Sequence, residues 1–203
     1  MKLIKINILI IFILSVITII ILYLHYKFNR QVLVNSKITN NKYYCRDINN
    51  KQQAANLLGE IDKRLNLLRN FLLEQFKDNP NFVKRLKRFK SKNIRESTRF
   101  SKSTSYTVNK NTLVMCLRSK QNEQILKDIN TLLFVAIHEF THIVTDSFGH
   151  TEDFWENFKY MLKTASEINI YDKQDYFNNP EKYCGIEINS SPLYISNIKA
   201  KLT

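Results

Sequence analysis

The chain has 203 residues, and its 31 Lys and Arg against 18 Asp and Glu give a formal net charge of +13. Such a balance directs attention to anionic partners, whether nucleic acid, anionic lipid or acidic protein, and the length suits one domain of ordinary size. Cys45, Cys116 and Cys184 are odd in number and widely spaced, so they supply neither a disulfide framework nor a CxxC metal knuckle.

The first element is apolar. No residue from Ile6 to Tyr26 is charged, and Ile8 to Leu24 is almost purely aliphatic. About 20 such residues cross a bilayer as a helix. A cleaved signal peptide would need a shorter apolar core and small residues after it, but Leu22-Tyr23-Leu24-His25-Tyr26 follows without an Ala-x-Ala pattern. Residues 1–26 are therefore expected to be an uncleaved, single-pass anchor, with residues 27–48 a polar linker and residues 49–203 the domain. Lys2 and Lys5 flank one side of the span, and Lys27, Arg30, Lys37, Lys42 and Arg46 the other. The positive-inside tendency then places the domain on the cytoplasmic or interior side of a host or virion membrane. The sequon Asn189-Ser190-Ser191 matters only for a lumenal domain. Abundant Lys, Asn and Ile with scarce Gly and Pro suit an AT-rich genome.

From Asn50 to Lys77, Ala54, Leu57, Leu58, Ile61, Leu65, Leu68, Leu72 and Phe76 recur at helical spacing and predict a long amphipathic helix. Asp78-Asn79-Pro80 ends it, and a short basic helix from Phe82 to Phe89 follows. Residues 84–102 hold nine Lys and Arg against Glu96 alone, with Phe89 and Phe100 interleaved. That stretch reads either as a phosphate-binding patch for anionic lipid or nucleic acid or as a solvated basic face. The lack of a nucleic-acid motif favours the second. Thr104 to Arg118 predicts a β-hairpin turning at Asn109-Lys110-Asn111, its second arm apolar on both faces. Residues 171–203 are irregular, and no internal repeat is present.

A broadly apolar helix is predicted from Asn130 to Phe148, capped by Asn130 or Thr131 and stopped by Gly149. Thr151 caps another, reaching Ile168. The first carries the chemistry. Three of the chain's four histidines fall between His138 and His150. His138 and His142, at i and i+4, project from one face one turn apart and can reach one metal ion. Glu139 points beside them, where a carboxylate can act as general base; HEFTH is an H-E-x-x-H motif. His150 would lie about 12 Å along the axis from His142 on a continuous helix, by the usual rise per residue. The break at Gly149 lets it fold back as third ligand. Two imidazoles and an acid on so apolar a helix are costly to bury without a task. Asp146, i+4 from His142, and Asp153 are candidates to orient the imidazoles. Three imidazoles suit Zn2+, with copper, nickel and cobalt as competitors.

HEFTH followed by GHTEDFW resembles the zincin-type metallopeptidases of the SprT and WLM groups, in which the histidine after Gly is the third zinc ligand and an aromatic stands four residues on, here Phe154. The tail NPEKYCGIEINSSPL resembles uncharacterised membrane-anchored metallopeptidases of giant DNA viruses. The resemblance implies an α+β, zincin-like, mainly helical domain. A small sheet or hairpin would lie beside the active-site helix, and one transmembrane helix would precede it. It also implies a zinc endopeptidase acting on protein or peptide, with VMCLR (residues 114–118) as the edge strand along which substrate lies. Tyr183 or Tyr194 would then be oxyanion donors. The zinc knuckle and ubiquitin-binding motifs of cellular DNA-repair members are absent, so crosslink repair does not carry over. The competing reading is a non-catalytic, membrane-tethered zinc-stabilised binding protein or virion component, with Cys184 closing the metal site. Substrate and oligomeric state are not legible.

Overall fold

The computed structural model describes residues 2–194, so residues 195–203 of the expected domain lie outside the described residues. It is an α+β structure of five α-helices and three small sheets. Helix α1 (Lys2–Asn29) contains a stretch, Asn7–Asn29, with mean hydropathy 2.9 and no part buried. At about 1.5 Å per residue it is long enough for a roughly 30 Å hydrocarbon layer.

Residues 27–48 differ from the expected linker. They complete α1 and then form a hairpin, β1 (Gln31–Asn35) against β2 (Lys42–Arg46). Along β2 the side chains alternate, with Tyr43 and Cys45 buried and Lys42 and Tyr44 exposed. One face of this hairpin is thus part of the core. Helix α2 (Lys51–Gln75) lies across it, with Ala54, Leu58, Ile61, Leu65, Leu68 and Leu72 of the expected stripe buried and Leu57 and Phe76 partly so. Gly59 stands where the two meet: a Cβ there would lie 2.2 Å from Ser36 Oγ. Close approach of the hairpin thus accounts for a glycine inside a helix, where it ordinarily costs about 1 kcal/mol relative to Ala.

Helix α3 (Pro80–Leu86) starts earlier and ends sooner than expected, because Asn79 caps it by accepting from the Phe82 amide at 3.1 Å. A three-residue strand follows that sequence reasoning missed, β3 (Ile94–Glu96). It pairs in parallel with β5 (Thr112–Met115), and β5 pairs antiparallel with β4 (Tyr106–Val108). The predicted hairpin is present, with Asn109 and Lys110 both at positive φ. The sheet order β3-β5-β4 corrects the expectation for VMCLR. Val114 and Met115 lie in the central strand, and β3 and β4 are the edges.

Helix α4 (Ile129–Val144) is buried at the centre, packed against α2, α3, α5 (Glu152–Glu167), β4 and β5. Burial of each of Leu132, Leu133, Ile137, Phe140 and Ile143, all fully enclosed, contributes roughly 1.5–3 kcal/mol. Its cap is Asp128, which accepts from the Thr131 amide at 2.8 Å, in place of Asn130 or Thr131. It ends at Val144, four residues short of the expected end. Thr151 caps α5 as predicted.

The segment expected to be irregular contains a hairpin, β6 (Glu181–Tyr183) with β7 (Ile186–Ile188), turning on Cys184 and Gly185 at positive φ. A 3-10 turn follows at Pro192–Tyr194. Cys184 is joined to Cys116 by a disulfide, which corrects the expectation of no disulfide. The two are 68 residues apart, so no local spacing reveals the pair. Cys45 stays free and buried. Closing so long a loop restricts the unfolded chain by about 4 kcal/mol on the chain-entropy account. Cys184→Ser is expected to lower unfolding free energy by about 2–5 kcal/mol, read by denaturant titration. An unchanged midpoint would refute this.

Candidate metal centre

His138 and His142 extend from α4 as the i, i+4 spacing requires, and His150 returns to them from the loop before α5. The Nε2 atoms converge. That of His150 lies 3.0 Å from His138 Nε2 and 3.2 Å from His142 Nε2. Two nitrogens bound at 2.0–2.1 Å on a tetrahedron sit about 3.3–3.4 Å apart, so the spacing fits one small ion. The three ligand atoms lie within 4.8 Å of one another, and among the described residues this is the metal-ligating group present.

The break that returns His150 is built differently from the expectation. Thr145, extended, ends α4, and Gly149 (φ 78°) makes the turn directly before His150. Lys110, at the tip of the β4–β5 turn, donates to the carbonyls of Thr145, Asp146 and Ser147 at 2.6, 2.7 and 3.1 Å. It also lies over the Phe148 ring. A cation at a helix C-terminus satisfies carbonyls that have no partner along the helix. Trp155 Nε1 donates to the His150 carbonyl at 3.1 Å. Phe154, fully buried, stacks on His142 at 4.2 Å and meets the other two imidazoles at 4.8 Å.

Burial, with the neighbouring imidazoles next in weight, lowers His138 to about 3 and His142 to about 4, and burial also lowers His150. All three are neutral near pH 7, as nitrogen ligands must be. Glu139 is 6% exposed, and burial pushes its carboxyl up to about 7 against the pull of Thr107. Thr107 Oγ1 lies 3.0 Å from Glu139 Oε2 and 2.9 Å from the Glu139 carbonyl. A residue of the edge strand thus fixes this carboxylate.

The site opens on a cleft of about 1000 Å3. Its walls are β4 with residues 104 and 105, the histidine face of α4, the 147–150 loop, the start of α5 and residues 183–192. The apolar side chains include Phe134, Val135, Phe158 and Ile188.

Other expected positions fall elsewhere. Asp146 is exposed and bonds Arg85 at 2.6 Å and Arg88 at 3.5 Å, so its carboxylate anchors the loop to the α3 region and not the imidazoles. Asp153 lies exposed in the first turn of α5, where an acid suits the helix dipole. Tyr183 lines the cleft, but its hydroxyl donates to the Cys116 carbonyl at 2.8 Å and contacts Ser105 Oγ at 2.6 Å. Tyr194 is 52% exposed and stands outside the residues that line the cleft. Cys184, bound to Cys116, is removed from the role of fourth ligand. In residues 84–102, Arg85 and Arg88 hold Asp146, and Arg99 pairs with Glu123 at 3.3 Å. Part of that charge is therefore structural. Thr107, Lys110 and, apart from Tyr183, the 183–192 wall were missed as site residues. The sequence hint for Lys110 was its place in the Asn109-Lys110-Asn111 turn, where it adopts a positive φ.

An α+β domain carrying a three-histidine cluster beside a buried carboxylate is the class that fold and site define. No family model matches the chain. An uncharacterized protein of Acanthamoeba polyphaga mimivirus is 36% identical over 165 residues, covering 79% of this chain and 83% of that protein, and the chain belongs to its family. An uncharacterized protein of Invertebrate iridescent virus 6 is 27% identical over 166 residues, covering 80% and 90%. The crystal structure of Wss1 from Saccharomyces cerevisiae aligns with 59% of this chain and 81% of its own at 21% identity and TM-score 0.45, and that of a Wss1 mutant with 61% and 86% at 19% and 0.47.

Proposed function

We propose that this protein is a membrane-anchored, zinc-dependent endopeptidase, with His138, His142 and His150 as ligands and Glu139 as general base. The convergence of three neutral imidazole Nε2 atoms on one point, beside a buried carboxylate and inside a long cleft, carries the reading. A zinc ion held there supplies Lewis-acid chemistry, polarising a carbonyl and making water a competent nucleophile near neutral pH. Glu139, raised by burial and steadied by Thr107, takes the proton from the attacking water and returns it to the leaving amine. A cation held by the three imidazoles would favour the basic form of this carboxyl.

Substrate fits as an extended peptide added to the free edge of β4, with main-chain bonds to residues 105–108. The strand β5, enclosed between β3 and β4, offers no edge. Helix α1 tethers the site to a membrane. The Cys116–Cys184 disulfide favours an oxidising compartment for the domain, opposite to the side favoured by the flanking charges.

Metal content of the detergent-purified full chain tests the reading. One equivalent of zinc is expected in the parent and much less in His150→Ala. A folded parent that takes up no zinc after loading and removal of excess would overturn it.

A further inference from the structure

A second cavity, of about 570 Å3, is lined in part by Ser101, Ser103 and Thr104, and Thr104 also lines the histidine cleft. Four cationic side chains line it, Arg46, Arg99, Arg118 and Lys120, against a single acid, Glu123. Arg46 is spent on the loop, donating to the carbonyls of Ser97 and Thr98 at 2.8 and 3.1 Å. Arg118 is 1% exposed, and three of its contacts are made through Nε and Nη1, to Glu96, Asn50 and Glu123. Its Nη2 is buried with no hydrogen-bond partner. An unpaired guanidinium nitrogen costs free energy when buried, and this one is enclosed by protein behind the cavity wall. Arginine's planar fork matches the oxygens of a phosphate group.

The cavity's place in the molecule points to the source of that phosphate. Its rim residues Arg99 and Phe100 touch the last turns of the apolar helix. Phe100 stacks on His25 at 5.2 Å, and the Arg99 guanidinium lies 5.0 Å from the Phe28 ring centroid. The Phe100 amide meets Asn29 Oδ1 at 3.5 Å. These contacts fall at the end of the stretch Asn7–Asn29, the level at which lipid headgroups begin when that helix spans a bilayer. Phe100 is half exposed, as an interfacial aromatic would be.

We propose that this cavity is a headgroup site for an anionic phospholipid, its phosphate held between Arg99 and Lys120 at the mouth, with the charges of Arg46 and Arg118 behind them. The site is distinct from the three-histidine centre and does not depend on the peptidase reading.

The test is titration of the full chain in neutral detergent with short-chain phosphatidic acid, short-chain phosphatidylcholine and inorganic phosphate. Saturable binding of phosphatidic acid is expected, with phosphatidylcholine at least about tenfold weaker. The variant Arg99→Glu/Lys120→Glu changes partly exposed positions, so folding is retained. It is expected to weaken phosphatidic acid binding at least about tenfold. Lys84→Glu/Lys87→Glu makes the same charge change at exposed positions outside the cavity and is expected to leave binding near the parent value. Equal losses in the two variants would mean diffuse attraction to a basic protein and would overturn the site. Inorganic phosphate binding as tightly as phosphatidic acid would overturn the lipid assignment. No saturable binding would overturn both.

Discussion

Glu139→Gln is expected to abolish peptide cleavage while leaving one equivalent of zinc bound. The substitution keeps the shape of the side chain and its contact with Thr107, but removes the group that accepts a proton. Loss of a positioned general base costs about 10²–10⁴-fold in rate. The imidazoles are untouched, so metal content separates a chemical loss from a structural one. Thr107→Val supplies a graded companion. It removes the hydroxyl 3.0 Å from Oε2 but leaves the carboxylate, and activity is expected to fall far less than in Glu139→Gln. Cleavage at the parental rate by zinc-loaded Glu139→Gln would end the general-base assignment. Cleavage lost together with the metal would mean that the residue holds the site and does not act in it.

The parts of this site that could be read from the sequence are those fixed by local geometry. A histidine pair at i, i+4 on an apolar helix has one possible arrangement, and HEFTH shows it directly. Gly149 before His150 signalled a reversal, although the helix ends at Val144 and Gly149 serves the turn. The same error of helix length misplaced Asp146. Its i+4 relation to His142 holds only on a continuous helix; once the chain leaves the helix at Thr145, the carboxylate swings to Arg85 and Arg88. Strands of three residues carry no usable period, so β3, β6 and β7 were invisible, and β1–β2 was taken for a linker. Without β3, nothing in VMCLR distinguishes a central strand from an edge. The disulfide joins residues whose proximity is made only by the fold. The large amphipathic features, α2, α4 and α5, were legible because burial imposes a helical repeat on the sequence itself.

Glu96→Ala is expected to be the most destabilising substitution outside the hydrophobic core. Glu96 was first met as the lone acid in a basic stretch, a position that suggests a solvated residue. It is fully buried. Its Oε1 accepts from Arg118 Nε, and its Oε2 accepts from the Arg46 amide at 2.8 Å, with the Arg46 guanidinium 3.7 Å away. One carboxylate therefore ties β2, β3 and the chain just beyond β5. Removing it leaves the enclosed Arg118 guanidinium without its carboxylate partner, while Arg46 keeps Glu123 at 3.1 Å. Breaking one partner of such a buried pair costs about 3–5 kcal/mol, a large share of the roughly 5–15 kcal/mol that holds a domain folded. Denaturant unfolding should show the midpoint fall, with Glu96→Gln intermediate because the amide keeps an acceptor and the volume. Replacing Glu96 and Arg118 together by methionine should recover part of the loss, since apolar isosteres remove the uncompensated charge along with the pair. A change below about 1 kcal/mol in Glu96→Ala would place the group within reach of water, where ion pairs contribute little. The frame under β5, and with it the position of the β4 edge against Glu139, would then rest on packing alone.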